Sequence, residues 1–238
     1  MAVLEETLLV STLLIVELAL LILTVYLLVL TFRETKHREA LIDRLITATR
    51  TFTREEYFTI VQEAIGEATQ YVYASVTGTK PEDEEEKNNV GRILTNISRA
   101  SKIGVDIRIL LPRDPSRLYM GYMYTNAGAK VKFNKSLLVN ELRYMIVDGN
   151  TVILGVPEKR GVEEPTRKGH RIYSEGFALI LKERFENIWN SSTSISYKDY
   201  VQEVIDDITR ETPGVSIDYI CSVTRLPREE VVAIAHRG

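Results

Sequence analysis

The hydrophobic pattern sets an apolar N-terminal segment apart from the rest of the chain. Residues 8–32 are almost continuously apolar, and Glu17 is their one charged side chain. At about 1.5 Å of rise per residue, such a helix can cross a hydrocarbon core of about 30 Å, so a transmembrane helix is predicted within residues 1–32. Lys and Arg follow this segment and do not precede it, which predicts a single-pass protein of the cell membrane with its remaining domains in the cytoplasm. Glu17 either contacts another helix or stays protonated in lipid.

The next stretch shows helical spacing and then a new helix start. Residues 33–53 are predicted to form a juxtamembrane helical stalk with a hinge near residues 51–53. Thr53, followed by Glu55 and Glu56, is typical of a helix N-terminus.

Residues 54–192 alternate between strand and helix patterns, which implies a parallel sheet flanked by helices. Strands are predicted at 71–76, 105–111 and 129–133, with helices at 90–103 and 115–126. Asp148-Gly149-Asn150 lies between two apolar runs and predicts an antiparallel hairpin, so that the sheet is mixed.

Three finer predictions concern the edges of this domain. The polar segment 77–89, with its acidic run at 82–86, is predicted to be a mobile loop, and residues 170–174 are predicted to be an edge strand. A helix over 177–189 is predicted to turn Ile180, Leu181, Phe185, Ile188 and Trp189 inward.

Composition excludes some classes of function. The 238 residues carry a net charge of −3, which argues against attraction of the whole protein to nucleic acid. Cys221 is the single cysteine and there are three histidines, so an intramolecular disulfide is impossible and no zinc-ligand spacing occurs. We therefore expect no structural metal and no cofactor.

Residues 141–155 resemble the signature of the phospholipase D family, H-x-K-x4-D-x6-G, with its histidine missing. Arg143 stands at the lysine position, Asp148 at the aspartate and Gly155 at the glycine, whereas Glu141 stands at the histidine. In active members that histidine attacks a phosphodiester, and a carboxylate would repel the same substrate. The resemblance therefore implies the family's fold without its nucleophile.

The resemblance covers residues 54–192, because segments 102–112 and 185–189 also resemble their counterparts in the family. It implies an α/β fold with a mixed sheet flanked by helices. Single-domain members pair to complete one site, so a homodimer or a higher homo-oligomer is the expected assembly.

Four residues are candidates for anion binding: Arg143, Asp148, His170 and Arg171. Arg143 can hold a phosphate or carboxylate as a fork, with Asp148 paired to it or to a neighbour. Alternatively, Arg143 occupies a strand edge and Asp148 is simply the residue that a tight turn selects. The basic segment around His170 and Arg171 either binds anions, lipid headgroups or an acidic partner, or is only solvated.

Residues 193–238 are predicted to form a small helical module that resembles the helix-turn-helix of winged-helix regulators. Arg225, Arg228 and Arg237 are its candidate contacts to nucleic acid or a partner. Residues 197–238 carry five Lys or Arg against eight Asp or Glu, which favours a protein partner over DNA.

These features favour a membrane-anchored, catalytically degenerate phospholipase D-like protein that serves as a dimeric binding scaffold or regulatory adaptor. One alternative is a membrane-bound phosphodiesterase or nuclease with a non-standard nucleophile such as His170. The other alternative is a membrane-anchored DNA-binding regulator.

Overall fold

The computed structural model of the chain describes residues 20, 23, 24, 51–81, 83–135, 143–157 and 166–235. The chain divides into two units, Met1–Thr49 and Arg50–Gly238. Leu20, Leu23 and Thr24 are helical, but the rest of the predicted transmembrane helix and stalk up to residue 50 lies outside the described residues. Among the residues that the structure describes, no helix is long and apolar enough to cross a membrane.

The second unit is built on a mixed sheet. Its described strands are β1 (Thr51–Phe52), β2 (Tyr71–Ser75), β3 (Asp106–Pro112), β4 (Lys130–Asn134), β5 (Arg143–Val147), β6 (Thr151–Pro157), β7 (Thr166–Tyr173) and β8 (Ile195–Ser196). They lie in the order β1-β7-β6-β5-β2-β3-β4-β8. β2, β3 and β4 run parallel, and all other neighbours are antiparallel. The predicted mixed sheet, with its parallel strands and its hairpin, is confirmed.

Helices cover both faces of this sheet. They are α1 (Arg54–Glu67), α2 (Glu84–Lys102), α3 (Leu118–Asn126), α4 (Glu175–Trp189), α5 (Tyr197–Glu211), α6 (Ile217–Thr224) and α7 (Arg228–Ala235). A 3-10 turn at Pro115–Arg117 leads into α3. α1, α2, α3, α5 and α7 contribute to one large core, and α4 contacts β2, β5 and β6.

Strand alternation assigns each side chain to one of two faces. Val72 and Ala74 of β2 pair with Val147 and Met145 of β5, and all four belong to the core that α1 and α2 share. We call this side the α1 face. The opposite side, which carries Tyr73 and is packed by α4 through Phe185, is the α4 face.

The helix start at Thr53 is confirmed. The Thr53 hydroxyl accepts a hydrogen bond from the Glu56 backbone N–H, and the Glu56 carboxylate accepts one from the Thr53 N–H, which closes a capping box. The residues before it, Thr51–Phe52, are extended and pair with β7.

The acidic run is partly helical, contrary to the predicted mobile loop. α2 begins at Glu84, six residues earlier than expected, because the Asp83 carboxylate caps the Glu86 N–H at 2.7 Å. Three glutamates then occupy the first turn, where the positive end of the helix dipole favours negative charge.

Two further predictions on the α4 side are wrong. Ile180 is 63% exposed, because Ala178, Leu181, Phe185 and Trp189 form the buried stripe of α4 at helical spacing. The predicted edge strand at 170–174 belongs to β7, which lies between β1 and β6 and is therefore not at the edge of the sheet. His170 pairs with Thr51 on one side and with Leu154 on the other.

The C-terminal helices share the core of the sheet. Tyr200, Val201 and Ile205 of α5 and Val231 of α7 are buried in the same cluster as the α1 face. α6 ends at Arg225, whose left-handed backbone at φ 58° turns the chain toward α7. The predicted domain boundary at residue 193 and the helix-turn-helix resemblance stay predictions.

Gly169 on β7 tests how tightly α1 packs on the sheet. A Cβ at Gly169 would overlap the ring of Tyr57, so Gly169→Ala is expected to lower stability by about 1–3 kcal/mol through overpacking. Gly91→Ala is the control, because nothing lies within 4 Å of its Cβ position on α2, and it should stabilise by about 0.5–1 kcal/mol. Thermal unfolding of the two full-length variants measures the difference, and equal melting temperatures would contradict this packing.

Candidate ligand-binding cavity

Arg143 begins β5 and is buried. Tyr144, the next residue, pairs with Ser75, so Arg143 lies beside the carboxyl end of β2. Its side chain is only 2% exposed, because β5 has β2 on one side and β6 on the other. The interpretation of Arg143 as a residue on a strand edge is therefore wrong.

Two glycines make room beside Arg143 on the α1 face. Arg143 pairs with Gly155 of β6, and Gly155 pairs with Gly169 of β7. Since neither has a side chain, the Tyr57 ring of α1 can lie directly on Gly169. The glycine of the predicted signature thus shapes the space next to the arginine.

A cavity of about 230 Å³ lies between the α1 face and the helices above it, with Arg143 in its wall. Most of its lining is apolar. The apolar and aromatic lining residues are Tyr57, Phe58, Val61 and Ile65 of α1, Val72 and Ala74 of β2, Val76 just after it, Val90, Ile93 and Ile97 of α2, Ile109 of β3, Met120 and Tyr124 of α3, and Met145 of β5. It lies at the carboxyl end of a parallel strand, where α/β sheets commonly bind ligands.

Two tyrosines give the cavity hydroxyl groups. Burial raises the pKa of Tyr57 to about 12, and the positive charge of Arg143 opposes that rise. Burial also raises the pKa of Tyr124 to about 12, with a smaller contribution from Tyr57. Both phenols therefore keep their protons at neutral pH and can donate hydrogen bonds.

The segment that follows β2 forms the rim of the cavity. Thr77, Gly78, Thr79, Lys80 and Pro81 line it, as does Glu86 of α2. Gly78 has φ 62° and passes so close to Leu111 that a Cβ would come within 2.7 Å of it. Lys80 extends over the Tyr119 ring, 5.3 Å from its centre.

Asp148 is occupied elsewhere, at the opposite end of β5. Its carboxylate accepts hydrogen bonds from the backbone N–H groups of Thr69, Gln70 and Tyr71 at 2.8–2.9 Å, and from the Thr69 hydroxyl at 2.9 Å. Partial burial raises the pKa of Asp148, but these hydrogen bonds outweigh it and hold the pKa below its usual 3.8. Of the two partners predicted for Asp148, a neighbouring group is confirmed and Arg143 is not, because the carboxylate joins the β5–β6 turn to the start of β2. Its place in the tight turn, at φ 50°, agrees with the alternative interpretation.

His170 and Arg171 are not brought together with Arg143. Tyr144, Leu154 and His170 lie in register on the α4 face, so the 2%-exposed imidazole is on the opposite side of the sheet from Arg143. Arg171 is on the α1 face but pairs with Glu67 at 3.1 Å and Glu63 at 3.8 Å.

The other candidate residues fall in two groups. Glu141 and Arg237 lie outside the described residues. Arg225 is exposed at the end of α6, and Arg228 of α7 forms an ion pair with Asp218 of α6. In the described part of the chain, no group of three or more His, Cys, Asp or Glu side chains could hold a metal ion.

Sequence patterns did not reveal the aromatic part of this cavity. Tyr57 and Tyr124 belong to different helices, separated by 67 positions in the chain, and neither stands in a motif. The one local signal of close packing here was Gly169, which follows a basic pair. A glycine in a strand without a turn pattern often marks a close approach of another group.

No protein-family model matches the chain, and no curated protein matches it. Among solved structures, Nuc from Salmonella typhimurium, a phospholipase D family member, is 17% identical with a TM-score of 0.47, over 63% of this chain and 97% of that one. NucT from Helicobacter pylori is 14% identical with a TM-score of 0.46, over 62% of this chain and 98% of that one.

A third similar structure is TrmBL2, an archaeal chromatin protein, which is 15% identical with a TM-score of 0.44. The match covers 68% of this chain and 63% of TrmBL2. All three TM-scores lie below 0.5, and the chain is assigned to no family on their account.

Asp148 should stabilise the fold in a pH-dependent manner. Because its folded pKa is depressed, its contribution is complete above the unfolded value of 3.8 and is lost as the pH falls through the folded pKa. Asp148→Ala is expected to cost about 1–2 kcal/mol at pH 7, allowing for its partial exposure. Denaturant unfolding at pH 7 and pH 3 measures this, and the cost should shrink at pH 3.

Asp206→Ala is the matched control, since among the described residues the Asp206 carboxylate accepts a hydrogen bond from Gln202 alone, at 2.8 Å on the exposed side of α5. It should change stability by less than about 0.5 kcal/mol at either pH. An Asp148 variant that behaves like the Asp206 variant would disprove the structural role of the carboxylate.

Proposed function

We propose that this chain is a phospholipase D-like protein that binds a small ligand without hydrolysing phosphodiesters, and that it acts as a regulatory adaptor. The observation behind this proposal is the cavity on the α1 face, a mainly apolar space that contains the buried guanidinium of Arg143. A cavity with a few convergent polar groups is typical of a small-molecule site.

The arrangement around Arg143 supports binding over catalysis. Phosphodiester hydrolysis of the phospholipase D type needs an imidazole within reach of the phosphate that the basic residue holds. His170, the described histidine, lies on the other face of the sheet, and no histidine is among the described residues that line the cavity. A phosphodiesterase or nuclease with a non-standard site is the alternative function.

The packing around α3 supports a regulatory role. Met120 and Tyr124 of α3 line the cavity, while Gly121 of the same helix abuts Phe133 and Tyr197. α5, which begins at Tyr197, contacts α7 in turn. A ligand that displaces α3 would therefore also displace α5 and, through it, α7. These C-terminal helices are the proposed contact to a protein partner.

The DNA-binding alternative has little support from the C-terminal helices. Arg228 is already paired with Asp218, and the acidic residues outnumber the basic ones in this part of the chain. Duplex binding depends on several phosphate contacts from unpaired cations.

The membrane setting belongs to the same proposal. Residues 8–32 would anchor the protein in the cell membrane as a single-pass helix, with residues 50–238 in the cytoplasm and two copies forming a homodimer. The long apolar run supports the anchor, and the basic residues after it support the orientation. The homodimer rests on the resemblance to single-domain members of the phospholipase D family.

The absence of phosphodiesterase activity is testable directly. The full-length chain is expected to hydrolyse bis(4-nitrophenyl) phosphate and single-stranded DNA no faster than buffer does. Arg143→Met and His170→Gln serve as controls, each checked for folding by thermal unfolding. Robust hydrolysis by the native chain that either substitution removes would overturn the adaptor proposal and establish the enzyme.

The anchor predicts a charge-sensitive association with membranes. Leu20→Arg combined with Leu23→Arg would place two cations in the middle of the span, at a cost of about 2.5–3.5 kcal/mol each. This variant is expected to leave the membrane pellet after carbonate extraction, whereas Leu20→Ile with Leu23→Ile should stay in it. Release of the native chain itself would exclude the anchor.

A further inference from the structure

We propose that a groove between α2 and α3 is a docking site for an acidic amphipathic helix of a partner protein. The groove is lined by side chains of both helices, among them Arg99 and Lys102 of α2 and Met123 of α3. Its lining shares no residue with the cavity on the α1 face, so this inference goes beyond the proposed function and does not depend on the ligand of that cavity.

The dimensions of the groove suit one face of a larger partner. On α2 the lining extends from Leu94 to Lys102, which is about 12 Å at 1.5 Å of rise per residue. The groove has a volume of about 660 Å³ and is open to solvent. A small molecule in it would stay largely hydrated, whereas small-molecule sites usually enclose most of the surface of the ligand.

The walls of the groove favour a helical occupant. Both walls are α-helices, so their backbone groups are already hydrogen-bonded within the helix. An extended peptide would find no strand edge here to pair with, and side chains must provide the contact. A helix with apolar residues at i, i+3 and i+4 can pack its ridge of side chains into the groove between two other helices.

Part of the lining is apolar. Four apolar or aromatic side chains of the lining are partly buried: Leu94 of α2, and Tyr122, Met123 and Ala127 of α3. Ile103, the residue directly after Lys102, is 73% exposed. Apolar surface of this kind beside charged residues is typical of a contact with another protein. It supplies the counterpart for the apolar stripe of the docked helix.

The charged residues of the groove are all positive. Arg99 and Lys102 are exposed, and neither forms an ion pair within the described part of the chain. The sequence contains no Asp or Glu from residue 87 to 105 or from residue 118 to 133, although the whole chain has a net charge of −3. Because both walls lack acidic residues, the complementary partner carries Asp or Glu beside its apolar stripe.

Close packing at the ends of α2 and α3 fixes the spacing of the walls. The Ser101 hydroxyl of α2 donates a hydrogen bond to the carbonyl of Gly128, just after α3, at 3.1 Å. Gly128 has φ 99°, and a Cβ there would come within 2.5 Å of the Ser101 Oγ, so a larger residue would push α2 away. The groove is therefore formed before a partner binds, which lowers the entropic cost of docking.

Fluorescence anisotropy of labelled peptides with the full-length chain tests this occupant. The probe is a helical peptide of about 14 residues, roughly four turns, with Leu at i, i+3, i+4 and i+7 and Glu on the other face. One matched peptide has Lys in place of every Glu, and another has the same composition in an order without helical spacing. The Glu peptide is expected to bind at least about tenfold more tightly than either.

A charge swap connects this binding to the groove. Arg99→Glu combined with Lys102→Glu is expected to weaken the Glu peptide at least about tenfold and to make the Lys peptide the tighter ligand. Arg99→Gln with Lys102→Gln should weaken the Glu peptide by a few fold and provides the test if the first variant does not fold. Arg184→Glu with Lys135→Glu is the matched control, because it changes the charge equally at two exposed cations outside the groove. Its affinity should stay within about twofold of that of the native chain.

Several results would overturn the docking site. One is equal binding of the Glu peptide and the peptide without helical spacing, and another is an affinity that the charge swap leaves unchanged. Labelled single-stranded DNA is the competing polyanion: if it binds and loses binding on the charge swap while the Glu peptide does not bind, the groove is a nucleic-acid site. Absence of binding by every peptide would also overturn the proposal. None of these results bears on the cavity or on phosphodiester hydrolysis, which test the proposed function separately.

Discussion

The Asp148 carboxylate determines where the rest of the candidate site lies. Its four hydrogen bonds to residues 69–71 join the β5–β6 turn to the beginning of β2, so β5 runs antiparallel to β2 in one register. A slip of one residue would turn every side chain of β5 to the other face. Because the register holds, Arg143 reaches the carboxyl end of β2 and faces α1.

The position of Arg143 has an energetic consequence. Arg143 is buried in the wall of the cavity, and the Tyr57 and Tyr124 phenols line the same space. A buried charge has to be compensated by hydrogen bonds or an ion pair, so the groups around Arg143 are held to one arrangement. His170 lies on the α4 face, so the described part of the chain places no imidazole beside Arg143.

Much of the fold was predictable because strands and helices leave local patterns. The parallel strands β2, β3 and β4, the hairpin at Asp148 and the start of α1 at Thr53 all follow from periodicity and turn or cap residues. The errors concern contacts with distant segments. Ile180 fits an inward stripe by hydrophobicity alone, yet Ala178 occupies the buried position, because α4 packs closely on β2, β5 and β6. The acidic run, taken for a loop, is the first turn of α2, since the Asp83 cap and the helix dipole favour charge there.

By itself, the sequence determined the class of fold and the one basic residue of the signature, because both depend on residue identity and short-range spacing. It could not determine which face of the sheet each candidate occupies, since that depends on the register across β5, β6 and β7. Only the tertiary structure separated Arg143 from Asp148 and His170, and only it joined Arg143 to Tyr57 and Tyr124. Those tyrosines come from helices whose approach to the sheet depends on glycines and packing far away in the chain.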